Sequence, residues 1–242
     1  MKLFDLYMRI LKKQVWLYSI YLGIFFLFLF LAADMGGKSH QTIFIYYRYA
    51  VLVLMVLVML TISAVTSVTS DTELFMRHQA APVRTELLAL TYLGADLLVM
   101  LFWWMLFFWT AVVLYGEAAY NIQGLFMAAN LLMISLFSTA LGFIIGIFSK
   151  SAQGRGIAAN LMAFALPFVG GSIEAANWGD YMVYLLRSFT PVFWYQKTLD
   201  EIILKEGGKL ENIIAYMGIQ VMFAIMVLTL GMMLDKQRRN VN

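Results

Sequence analysis

The side chains that most often carry catalysis are few in this chain. It has two histidines, His40 and His78, and no cysteine. Neither histidine stands in a His-Glu-x-x-His helix that could hold zinc, and the lack of cysteine excludes thiolate nucleophiles and thiolate metal ligands together. The Gly-x-Ser-x-Gly turn of a serine hydrolase is also missing. We therefore expect no catalytic residue, no metal site and no cofactor on this chain.

Asp96 is the one carboxylate well inside an apolar run, on the same helical face as Met100, Trp103 and Phe107. A single acid excludes the paired aspartates of a membrane aspartyl protease, and it falls short of the several buried charges expected of a secondary transporter. Two interpretations of Asp96 are equally supported: it is a polar group on a substrate route, or it is a structural acid hydrogen-bonded to a neighbouring helix. Asn130 has the same two interpretations, with packing favoured.

These residues must be positioned by membrane helices. Hydrophobic residues make up 62% of the chain and charged residues 13%, against about 25% charged in soluble proteins. A membrane span needs about 20 apolar residues, and six runs meet or approach that length: 17–33, 49–66, 88–115, 125–148, 156–171 and 213–234. We predict an all-α, polytopic membrane protein with six transmembrane helices in a single domain, 1–242.

The distribution of basic residues predicts the orientation of these helices. With the N-terminus inside, eleven of the 17 Lys and Arg residues fall on the cytoplasmic side and six outside, as the positive-inside rule requires. Both termini are therefore predicted to be cytoplasmic, and the first run is an anchor rather than a cleaved signal peptide. The net charge of +3 is a topology signal that suits membrane lipids, and it does not point to nucleic acid.

Two segments outside the runs have patterns of their own. Residues 2–15 place apolar residues on one side of a helix and charged residues on the other, which is the spacing of an amphipathic helix lying in the membrane interface. A simple charged flank of the first span is the alternative. The segment 67–87 has helix-capping residues at its start and Pro82 further on, which disfavours helix at Ala81. Thr85 and Glu86 are suited to begin the next helix. This predicts helix, proline break and helix at one membrane surface, with an ordinary loop as the alternative.

The string Phe75-Met76-Arg77-His78-Gln79-Ala80-Ala81-Pro82-Val83-Arg84-Thr85-Glu86-Leu87-Leu88 resembles the first cytoplasmic coupling segment of type 2 ABC transporter permeases. The resemblance implies that a separate ATPase docks here. It assigns ATPase coupling to seven residues: Phe75, Arg77, His78, Pro82, Arg84, Glu86 and Lys150.

Two further blocks resemble the same family. Residues 140–151 resemble the end of its fourth span, where Ser138, Gly142 and Gly146 form a small-residue stripe that permits close helix contact. Residues 185–197 resemble its external region before the last span. Pro191 cannot sit in an unbroken helix interior, so residues 172–210 are predicted to form short re-entrant external helices.

The resemblance implies a permease subunit of a bacterial ABC exporter in the cytoplasmic membrane, paired with a second permease copy or paralogue and with two ATPase subunits. The chain has no Gly-x-x-x-x-Gly-Lys-Ser/Thr phosphate loop, so ATP and Mg are expected on the ATPase. An amphipathic or hydrophobic substrate such as a peptide, toxin, lipid or drug is favoured. Export of a lipid-linked glycan and a non-transporting scaffold or sensor are the alternatives. The candidate substrate pathway comprises Asp96, Trp103, Phe107, Asn130, Phe193 and Trp194.

Overall fold

The computed structural model describes residues 12, 18–23, 40–69, 85–149, 151–170, 187–203 and 209–241. Within these ranges the chain is all-helical, as predicted. Residues 18–23 are helical, and seven further helices follow in chain order: α1 (His40–Thr69), α2 (Thr85–Tyr115), α3 (Glu117–Tyr120), α4 (Ile122–Phe148), α5 (Ala152–Gly170), α6 (Pro191–Ile203) and α7 (Leu210–Val241).

Four helices in this part of the chain are long and apolar enough to cross a membrane: Ile43–Ser67 in α1, Gly94–Tyr115 in α2, Ile122–Phe148 in α4 and Leu210–Asp235 in α7. They correspond to the second, third, fourth and sixth predicted runs. The fifth run lies in α5, which is not among the four. The first run and the interfacial segment 2–15 fall largely outside the described residues, and of the external region 172–210 the parts 187–203 and 209–210 are described.

α1 is the centre of the bundle. The most apolar stretch of α1 has 83% of its residues buried, and that of α4 has 61%. The corresponding fractions are 22% in α2 and 17% in α7. α1 contacts α2, α4, α5 and α6, and its most extensive interface is with α4. The outer faces of α2 and α7 are therefore left to lipid or to another subunit.

The small-residue stripe of α4 packs against α1, which confirms the predicted role in close contact. A Cβ atom on Gly142 would lie 2.9 Å from the Ile62 Cβ, and one on Gly146 would lie 2.5 Å from the Thr66 Cβ. Ser138, one turn earlier, is fully buried. The two helix backbones approach this closely only because these positions carry no bulky side chain.

Helix boundaries differ from the predicted spans mostly at their starts. α2 begins at Thr85 as expected, whereas α1 begins at His40, nine residues before the predicted 49. α5 begins at Ala152, four residues before the predicted 156, so Gly154 and Gly156 lie inside a helix. The turn before α4 has a clear local cause: Gly116 adopts a positive φ of 57°, and the Asn121 side chain caps α4 by accepting from the Gly124 N–H at 2.8 Å.

α6 is a short helix packed against one end of the bundle. It contacts the early turns of α1, α4 and α7 and the end of α5. A Cβ atom on Gly170 would lie 2.9 Å from the Val192 Cβ, so the end of α5 and the start of α6 nearly touch. α6 lies within the predicted external region 172–210, of which residues 172–186 and 204–208 are outside the described part. Its external position and re-entrant path stay predictions.

Candidate functional site

The predicted ATPase-coupling residues fall almost entirely outside the described residues. This holds for Phe75, Arg77, His78, Pro82, Arg84 and Lys150. Glu86 lies in the first turn of α2, where only the backbone is described. The coupling assignment therefore stays a prediction, and its setting is a connection between the end of α1 and the start of α2.

The polar and aromatic face of α2 is buried, as the predicted common face requires. Asp96, Met100, Trp103 and Phe107 are each at most 6% exposed. Trp103 donates from Nε1 to the Thr61 Oγ1 at 3.1 Å, and the Phe107 carbonyl oxygen accepts from the Tyr46 hydroxyl at 2.6 Å. Trp103 and Phe107 therefore join α2 to α1 within one subunit.

Asn130 lies at the centre of a buried hydrogen-bond network. Its Nδ2 donates to the Tyr195 carbonyl oxygen of α6 at 2.9 Å, and its Oδ1 accepts from the Gln220 Nε2 of α7 at 2.8 Å. Asn130 and Gln220 are both completely buried. One amide of α4 thus holds the short helix on one side and the last helix on the other.

Two tyrosines of α1 extend this network toward α2. The Tyr195 hydroxyl donates to the Tyr47 carbonyl oxygen at 2.6 Å, and the rings of Tyr46 and Tyr47 meet edge to face at 5.2 Å. Tyr46 in turn bonds the carbonyl of Phe107. We call Tyr46, Tyr47, Asn130, Tyr195 and Gln220 the amide–tyrosine cluster; it joins helices α1, α2, α4, α6 and α7.

Helical periodicity explains how these side chains reach the cluster. Gln220 shares a buried stripe of α7 with Ile213 and Ala224, at spacings of seven and four residues, on a helix that is otherwise largely exposed. Tyr195 shares a buried face of α6 with Leu199 and Ile202. Each helix therefore presents its cluster residue inward because that residue lies on its apolar packing face.

Phe193 and Trp194 lie beside the cluster on α6. Phe193 is buried, and the Lys197 ammonium lies 5.6 Å from the centre of its ring. Trp194 donates from Nε1 to the Ser188 carbonyl oxygen at 2.8 Å and its ring lies 5.4 Å from that of Tyr216 on α7. The structure thus brings Asn130, Phe193 and Trp194 to the same end of the bundle.

The charged residues of α6 are not members of the amide–tyrosine cluster. Burial raises the pKa of the Asp200 carboxyl above its usual range, against the opposing effect of the positive charges of Lys197 and Arg48. Glu201 is buried and its Oε1 accepts from the Asn212 Nδ2 at 3.1 Å. Cluster members are tyrosines and amides, so the arrangement can bind and orient polar groups without being charged.

Sequence reasoning identified Asn130 but missed Tyr46, Tyr47, Tyr195 and Gln220. One signal was present for Gln220, which interrupts the last apolar run and is costly there unless it is bonded. The tyrosines gave no such signal, because aromatic residues near helix ends are usual in membrane proteins.

Among the described residues no group of three or more His, Cys, Asp or Glu side chains is placed to hold a metal ion. Comparison of the chain with protein-family models, with characterised proteins and with solved structures finds no match. The site's own geometry and the residue pattern are therefore the basis for a functional proposal.

Proposed function

We propose that the chain is a permease subunit of an ATP-driven ABC exporter, working with a second permease copy or paralogue and with separate ATPase subunits. The observation that carries the proposal is the proline-containing connection between α1 and α2, which has two arginines, Arg77 and Arg84, on either side of Pro82. Both of these helices are long and apolar enough to cross a membrane, so a connection of this length joins them at one membrane surface. That position and its residue order are those at which type 2 ABC permeases receive the ATPase.

The proposed topology has six spans with both termini in the cytoplasm. It adds the runs 17–33 and 156–171 to the four apolar helices, and the excess of basic residues on one side supports the orientation. In this topology the coupling segment faces the cytoplasm and α6 faces the opposite side.

The proposed substrate is amphipathic or hydrophobic, and its route passes the end of the bundle where α6 packs. Trp194, which is half-buried, would supply aromatic surface there, with the buried Phe193 and Asn130 behind it. Asn130 is bonded to Tyr195 and Gln220, so it would act on the route through the packing of α6 and α7. Aromatic surface interrupted by a few fixed polar groups is the usual composition of a site for such molecules. ATP and Mg belong to the partner ATPase in this proposal.

The test is charge reversal in the coupling segment. Arg77→Glu combined with Arg84→Glu is expected to reduce the amount of ATPase recovered with the tagged chain from its own membranes, since loss of a buried charge pair costs about 2–5 kcal/mol. Arg238→Glu combined with Arg239→Glu is the matched control, with the same charge change on the same predicted side. Equal recovery of the ATPase with both double variants would refute the docking assignment.

A non-transporting membrane scaffold is the second candidate, favoured by the packing of α2. Trp103 and Phe107 are buried between two helices of one subunit, and such residues need no substrate to explain them. If the assembled complex neither hydrolyses ATP nor moves any amphipathic compound in vesicles, the scaffold is the correct function.

A further inference from the structure

The amide chain of the cluster leaves one hydrogen-bond acceptor unsatisfied for a reason that the geometry itself imposes. The Tyr195 carbonyl oxygen can only accept, so Asn130 must turn its NH₂ group toward it. The Asn130 Oδ1 then faces Gln220, which must answer with its own NH₂ group. The Gln220 Oε1 is thereby turned away from Asn130, and reversing either amide would bring two oxygens or two NH₂ groups together.

This acceptor is buried and has no hydrogen-bond donor among the described residues. Among the described residues, the Gln220 amide makes one further hydrogen bond, a long one from Nε2 to the Tyr216 carbonyl oxygen at 3.5 Å. The Tyr47 hydroxyl, on the far side of Tyr195, is likewise buried and unpartnered within the described part of the chain. Buried polar atoms in folded proteins nearly always have a partner, either in the protein or in an ordered water.

Gln220 lies deep in the bundle. It is ten residues from the start of α7, or about 15 Å at the helical rise, and a hydrocarbon core is about 30 Å thick. Asn130 is eight residues, or about 12 Å, from the start of α4. A group at this depth is far from bulk water, so an unsatisfied acceptor here needs a donor bound at the site itself.

We infer that the Gln220 carboxamide oxygen is a binding site for a water molecule inside the bundle, where α7 packs against α4 beside α6. Water suits the site because it donates to Oε1 and can also accept from the second hydrogen of Nε2, whose protein contact is weak. The site is independent of the exporter proposal, since it rests only on the hydrogen bonds of α4, α6 and α7. A water bound at this depth would add one more polar group to the hydrogen-bonded cluster.

The experiment is proton-detected solid-state NMR of the full chain in lipid bilayers, recording transfer of magnetisation from water to side-chain N–H groups. The Gln220 NH₂ protons, assigned by their loss in Gln220→Met, are expected to show a cross peak to water. The Trp104 Nε1–H, which donates to the Ala128 carbonyl oxygen at 2.8 Å, is the internal control and is expected to show none. A Gln220 signal no stronger than that of Trp104 would overturn the inference.

Tyr47→Phe separates bound water from the Tyr47 hydroxyl, the buried hydroxyl that lacks a partner in the described part of the chain. If water is the donor, the Gln220 cross peak and chemical shifts stay within error of the unmodified chain. If the Tyr47 hydroxyl moves to satisfy Gln220, the variant shifts the Gln220 resonances and removes the transfer relayed through the hydroxyl, and the inference is wrong. If Gln220→Met fails to fold, the Gln220 side chain is assigned instead by through-bond correlation to its own backbone resonances in the unmodified chain, and the Tyr47→Phe comparison then remains decisive.

Discussion

Gly146→Ala should destabilise the bundle by forcing α1 and α4 apart. The added Cβ would lie 2.5 Å from the Thr66 Cβ and 2.8 Å from the Ser63 carbonyl oxygen, whereas carbon atoms in good contact are about 3.5–4.0 Å apart. The neighbours are the Cβ of a β-branched side chain and a backbone oxygen within the last two turns of α1, and neither can rotate away. The helices must therefore separate locally by about 1 Å, which weakens the surrounding contacts by a quarter to a half.

The magnitude follows from two opposing effects. Overpacking of a close interface costs about 1–3 kcal/mol, while alanine is favoured over glycine inside a helix by up to about 1 kcal/mol. Gly218→Ala on α7 is the matched control, because nothing lies within 4 Å of its added Cβ and only the helix preference acts there. The difference between the two variants isolates the interface and is expected to be roughly 1–3 kcal/mol in favour of Gly218→Ala.

The assay is unfolding of the purified chain in mixed micelles by titration with a denaturing detergent, followed by circular dichroism and tryptophan fluorescence. Gly146→Ala should unfold at a lower detergent fraction than the unmodified chain, and Gly218→Ala at an equal or higher one. Gly142→Ala, whose Cβ would lie 2.9 Å from the Ile62 Cβ and 3.1 Å from the Met59 backbone, should fall between them. Coincident transitions for Gly146→Ala and Gly218→Ala would show that the α1–α4 contact is not as close as described.

Three further outcomes are expected. Asn130→Leu leaves the Gln220 NH₂ group buried without its acceptor and should lower the free energy of unfolding by about 1–3 kcal/mol. In the same detergent titration, Asn130→Leu combined with Gln220→Leu should lower it by less than the sum of the two single changes. Strict additivity would contradict the Asn130–Gln220 bond. The raised pKa of Asp200 means that folding favours its protonated form, so the contribution to stability is full below the carboxyl's unfolded pKa and is lost as pH rises through its folded pKa. The unmodified chain should therefore lose stability relative to Asp200→Asn between acid and neutral pH, and parallel stability curves would refute this assignment. Because the chain has no cysteine, single introduced cysteines report topology without background labelling. An impermeant thiol reagent applied to whole cells should label Gln123→Cys and Gly208→Cys but not Gln79→Cys or Ser151→Cys. Labelling of Gln79→Cys would invert the proposed orientation.

Part of this fold could be predicted from the sequence because it depends on local chemistry. Long apolar runs predicted membrane helices because backbone polar groups in hydrocarbon must bond within their own segment, and the described residues include four helices long and apolar enough to cross a membrane. Thr85 predicted the start of α2, since a helix cannot easily continue through the preceding Pro82 region. The spacing of Ser138, Gly142 and Gly146 predicted a close contact, although not that α1 would be the partner.

The arrangement around Asn130 could not be read in this way. Apolar composition says that a helix is buried in membrane or protein, but it does not say which neighbour covers it, and α1 and α7 are similar in hydropathy while 83% and 17% of their apolar stretches are buried. Gln220 and Asn130 are 90 residues apart in the chain, and Tyr195 and Tyr47 are 148 apart. Residues so distant meet only when five helices pack, and no local pattern encodes that meeting. Composition and periodicity thus determine that the chain forms apolar helices and where several of them begin, while packing determines which polar side chains are buried together and which of their atoms still lack a partner.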